Sequence, residues 1–81
     1  MNSNKQNLIN KIMYRSQDRG TKEMDIFVSS FVKSIIYSLS FDDLADLDKL
    51  VNMNDEDIIK ISRKKMIFKN NKIFKLLIDF K

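Results

Sequence analysis

The sequence predicts an all-α fold, a small bundle of four to five short antiparallel helices, and three observations carry that reading. Apolar residues recur at i, i+3, i+4 spacing in several separate stretches, which lines them along one face of a helix. No stretch alternates apolar and polar residues with period two for long enough to argue a strand. The 81 residues include no Pro and one Gly, so β-turn chemistry is scarce and punctuation must come from helix caps and polar clusters.

Leu8, Ile9, Ile12 and Met13 share a face and predict a first helix from about Asn4 to about Asp18. Gly20 interrupts the pattern. From Thr21 to about Ser38 the apolar positions are Met24, Phe27, Val28, Phe31, Val32, Ile35 and Ile36, a stripe over more than about four turns and the strongest helical signal in the chain. Ser40, three residues before Asp43, is an acidic variant of the capping box and opens a third helix whose expected buried edge is Phe41, Leu44, Leu47, Leu50 and Val51. Asn54 with Asp57 repeats the arrangement for a short fourth helix carrying Ile58, Ile59 and Ile61. After Arg63-Lys64-Lys65, a last amphipathic segment runs from about Asn71 to Phe80, with Ile73, Leu76, Leu77 and Phe80 on one face. The expectation is one helical domain over residues 1–81, with a corner at residues 14–25 and a basic segment at residues 60–81.

Composition narrows the function classes. A chain of this size buries only about 60% of the surface its unfolded form exposes, which leaves one modest core and little room for an enclosed substrate pocket. The hydrophobic (43%) and charged (32%) fractions are those of a folding chain. There is no Cys and no His, which removes disulfides, thiolate nucleophiles, imidazole bases and the usual zinc ligands. The carboxylates at Asp42, Asp43, Asp46 and Asp48 read as capping and a solvated face. Those at Asp55, Glu56 and Asp57 read as a turn and helix start, without the central Gly of a calcium loop. The reading is therefore no enzyme, no metal and no membrane span. Residues 1–7 show neither a secretory signal nor an Arg-rich transit pattern, so the expected location is a bacterial cytoplasm.

Gly20 stands between the two most clearly periodic helices, in Tyr14-Arg15-Ser16-Gln17-Asp18-Arg19-Gly20-Thr21-Lys22-Glu23-Met24-Asp25. In one reading it takes a positive φ that ends the first helix, with Arg15 and Arg19 in that helix's last turn and Glu23 in the next helix's first turn, each favoured by the helix dipole. In the other, the corner is a contact surface. There the glycine admits another backbone, and Arg19 and Glu23 offer complementary charges. Spacing leaves both open.

Arg19-Gly20-x-x-Glu23 resembles the RGxxE signature of the FAD assembly factors of succinate dehydrogenase, found in bacteria and mitochondria. The similarity extends through Tyr14-Arg15-Ser16, Thr21-Lys22, Met24-Asp25, the Ser38-Leu39-Ser40 step and the Asp55-x-Asp57-Ile58 turn, over about residues 8–61. Gln17 and Asp18 depart from the aromatic or basic residues frequent in relatives, and Ile59 and Ile61 stand where Tyr and Trp are common. The resemblance implies a factor that binds the flavoprotein subunit of succinate dehydrogenase, or a fumarate reductase, and promotes covalent FAD attachment. It implies that the flavoprotein supplies the attacking histidine and holds the FAD, this chain having no cofactor of its own. By resemblance Gly20 gives close backbone approach and Arg19 and Glu23 bond to the partner, with Arg15, Tyr14 and Asp25 on the same surface.

A rival reading comes from charge. Residues 1–59 carry a net −3 and residues 60–81 a net +7, so Lys64, Lys65, Lys69, Lys72 and Lys75 suggest a small basic nucleic-acid binder. Against it, only Arg63 in that region is an arginine, and Lys, Asn and Ile together supply 31 of the 81 residues, a pattern AT-rich codons produce. A third reading places the last helix on a membrane surface, where its Lys and apolar faces fit an interfacial pattern. The plainer alternative is that its apolar face closes the core.

Overall fold

The apolar stripes form helices because each can bury one face against the others while its capping residues satisfy the exposed ends. The computed structural model describes residues 3–17, 19–63 and 72–80. Among them the elements are α1 (Ser3–Arg15), α2 (Lys22–Ile35), a 3-10 turn (Ile36–Ser38), α3 (Phe41–Val51), α4 (Asp55–Ser62) and α5 (Lys72–Asp79), with no strand. The all-α expectation holds. α1 packs on α3 and α2, and α5 packs on α4 and α3. One core draws on every helix, with Ile12, Phe31, Leu44, Ile58 and Ile73 among its fully buried side chains.

Helix ends follow local polar chemistry. α1 stops at Arg15, short of the expected Asp18; just past its end the buried Ser16 still makes a helical bond from its N to Ile12 O (2.9 Å), and its Oγ donates to Met13 O (2.7 Å). Asp18 itself lies outside the described residues. The Thr21 hydroxyl accepts from Met24 N (3.1 Å) and caps α2, a start signal that the sequence reading passed over. The Ser40 and Asn54 caps form as expected, accepting from Asp43 N (3.2 Å) and Asp57 N (2.9 Å).

Phe41 corrects the expected edge of α3: it is 48% exposed, while Leu39 is buried in its place. As the first helical residue, Phe41 projects back past the packed face. Leu39, ahead of the Ser40 cap, and Leu44, four residues after it, hold the positions of a hydrophobic staple, and both are buried in the core.

At the other end, Ile73 and Leu77 are fully buried, and the Phe80 ring lies 5.4 Å from Phe31 edge-on and 6.0 Å from Phe27. The apolar face of α5 closes the core and is not left for a membrane surface. No described helix is long and apolar enough to cross a membrane.

Candidate functional site

The loop between α1 and α2 lies across the corner where α3 ends and α4 begins, and one side chain fastens it there. Arg19 Nε donates to Asp55 Oδ1 (2.8 Å), Nη1 to Val51 O (2.7 Å) and Arg15 O (3.3 Å), and Nη2 to Met53 O (2.6 Å). The terminal carbonyls of α1 and α3 carry the negative ends of those helices, so a cation is favoured between them. The planar guanidinium reaches several acceptors at once, as an ammonium cannot. Its side chain is only 9% exposed. Arg19 is thus turned inward.

Asp55 makes a second bond. Its Oδ2 accepts from Gly20 N at 2.9 Å, so one carboxylate bridges the guanidinium and the neighbouring backbone. Asp55 opens α4 behind the Asn54 cap, where helix dipoles favour a negative charge. A Cβ built on Gly20 would stand 2.8 Å from that same Oδ2. The expected positive φ is corrected here. Gly20 lies outside the left-handed region and precedes the cap of α2, four residues clear of the end of α1. Its missing side chain makes room for Asp55.

Of the other expected site residues, Tyr14, Arg15 and Glu23 line one or the other of two clefts. Tyr14 and Arg15 join Arg19 and Gly20 along an open groove of about 470 Å³, whose far wall is residues 51–55. Tyr14 is 77% exposed, and Arg15 Nη1 donates to Asn52 Oδ1 (3.0 Å), which holds it on the rim. Glu23 is exposed and lines a different cleft, of about 380 Å³, with Met24, Phe27, Ile59 and Arg63. Asp25, half-buried in the first turn of α2, lines neither.

Asp55 and Asn52 are the members that sequence reasoning did not assign to the site. Each lies more than thirty residues from its partner, Asp55 36 from Arg19 and Asn52 37 from Arg15. The one pointer to Asp55 was its place in the Asp55-x-Asp57-Ile58 turn of the family resemblance. Among the basic residues behind the nucleic-acid reading, Lys64, Lys65 and Lys69 lie outside the described residues. Lys72 pairs with Asp43 (3.0 Å) and Lys75 is exposed. The described residues include no cluster of His, Cys, Asp or Glu suited to a metal ion.

A family model described as flavinator of succinate dehydrogenase matches residues 10–81, which includes the whole corner. Two fungal proteins named succinate dehydrogenase assembly factor 2, mitochondrial, are similar to the chain. The one from Cryptococcus neoformans var. neoformans is 33% identical over 55 residues, covering 68% of this chain and 31% of that protein. The one from Debaryomyces hansenii is 34% identical over 74 residues, covering 83% and 52%. The chain therefore spans about a third to a half of the length of these relatives. No solved structure matches. The relatives' names point to a mitochondrial setting, which overturns the expectation of a bacterial cytoplasm. With all but the first nine residues inside the match, the chain belongs to the family of flavinators of succinate dehydrogenase.

Proposed function

We propose that this chain is an assembly factor that binds the flavoprotein subunit of succinate dehydrogenase and promotes covalent attachment of that subunit's FAD. The observation that carries the reading is the corner itself. An exposed glycine backbone is braced from behind by Arg19 and Asp55 and flanked by the exposed Tyr14, Arg15 and Glu23. Family membership supports the assembly role, and the RGxxE residues lie within the matched region.

The chain acts by positioning and not as the catalyst of bond formation. It has no His or Cys to serve as nucleophile, and no Gly-rich phosphate loop to hold a dinucleotide. The partner supplies the reacting histidine and the FAD. Holding reacting groups in a productive geometry lowers a barrier by several kcal/mol, up to about 7–11 in ideal intramolecular cases. In this division of labour Tyr14, Arg15, Gly20 and Glu23 meet the flavoprotein. Arg19 shapes the corner from within, and Asp25 is a peripheral contact.

The experiment is a reconstitution. Purified flavoprotein subunit lacking covalent flavin is incubated with FAD, with and without this chain, and covalent flavin is read by intact-protein mass. Faster or more complete attachment with the chain is expected. Equal attachment with and without it overturns the proposal.

A further inference from the structure

We infer that Asp55 is a positioning residue for partner docking: its carboxylate fixes the exposed backbone at Gly20 and is the reason that residue 20 carries no side chain. The inference rests on the reading of the Gly20 corner as the docking surface, and adds the residue that shapes that surface.

Asp55 Oδ2 accepts from Gly20 N at 2.9 Å and would stand 2.8 Å from a Cβ at the same residue. One atom therefore both orders the backbone and excludes a side chain. It has little freedom to retreat. An aspartate has only two side-chain torsions, its Oδ1 is held by Arg19 Nε at 2.8 Å, and Arg19 is itself anchored on Val51 O and Met53 O. Backbone strain offers no competing explanation, because Gly20 is not in the left-handed region. A methyl at residue 20 must then push Asp55 away, break the Gly20 bond and reorient the segment that faces the partner.

The alternative origin of the glycine is a close approach by the partner, in which the methyl collides with the flavoprotein. The two origins differ in a double-mutant cycle. Gly20→Ala, Asp55→Ala and the double variant are titrated against purified flavoprotein subunit, at a temperature where circular dichroism shows every variant folded. Because the bond holds the docking segment in place, each single variant is expected to raise Kd severalfold, up to about a hundredfold if the whole worth of a hydrogen bond to a charged group is lost from binding. The double variant is expected to bind no more weakly than Asp55→Ala alone. Asp55→Asn, which keeps the size of the side chain, is expected to retain the penalty of Gly20→Ala. That pattern follows the carboxylate's bulk and is not a general loss of stability. Asp55→Ser, shorter and well suited to a helix start, replaces Asp55→Ala in the cycle if that variant does not fold.

Gly20→Ala costing the same factor in both backgrounds overturns the inference and leaves the docking surface standing. So does Gly20→Ala binding as wild type. Wild-type protein that fails to bind the flavoprotein overturns the docking reading and this inference with it.

Discussion

The guanidinium of Arg19 sits between the last carbonyls of α1 and α3 and the first carboxylate of α4, and that position sets what substitutions there do. Arg19→Lys keeps the charge but loses the fork. With hydrogen bonds to charged groups contributing about 1.5–3 kcal/mol, a net loss of about 2 kcal/mol is expected, a fall in Tm of about 8–16 °C for a domain this small. Thermal unfolding by circular dichroism checks it; an unchanged Tm would mean that the clamp contributes nothing. Glu23 predicts the reverse. It is exposed and has no ion pair among the described residues, so Glu23→Gln should change stability by less than about 0.5 kcal/mol while weakening flavoprotein binding. The Arg19-Gly20-x-x-Glu23 pattern was legible in the chain, but which way each of its side chains faces was not. Spacing places a residue on a helix or at its end, but whether a loop arginine faces inward depends on carbonyls at residues 51 and 53, which no local pattern connects to it.

At the scale of elements, burial and the ion pair at its start both hold α5. Phe31, 1% exposed, packs edge-on against Phe80 just beyond α5. Phe31→Ala should cost about 3–5 kcal/mol, a large part of the roughly 5–15 kcal/mol available to a small domain, and urea titration would show it as a shifted midpoint. Lys72 Nζ bonds Asp43 Oδ2 and holds that carboxyl below its ordinary value of 3.8, helped by the Ser40 cap. A depressed folded-state value means that the contribution is complete above pH 3.8 and is lost as pH falls through the lowered value. The stability difference between wild type and Lys72→Met should therefore be present at neutral pH, shrink in strong salt, and vanish in acid; a difference persisting at about pH 2 would contradict the pairing. The helices were legible because their apolar stripes run for several turns and Ser40 and Asn54 announce two of their starts. Their ends were less so. α1 ends three residues before the expected Asp18, and Phe41 looks like a core residue until its place in the first turn is known.

For the molecule as a whole, one small core fixes two surfaces relative to each other, the groove at Gly20 and the cleft at Glu23, on either side of the start of α2. The bundle is the frame that carries the proposed docking corner. The all-α class followed from periodicity and the scarcity of turn residues, whereas the flavoprotein as partner came only from resemblance, since a charge-flanked glycine has no chemistry unique to one partner. The most direct measurement of the central claim is in-gel flavin fluorescence of the flavoprotein subunit in cells lacking this protein, complemented with wild type or with Gly20→Arg. Fluorescence restored by wild type and absent with Gly20→Arg, both proteins being present at equal level, is the predicted result. Undiminished fluorescence without the protein, or with Gly20→Arg in its place, would contradict it.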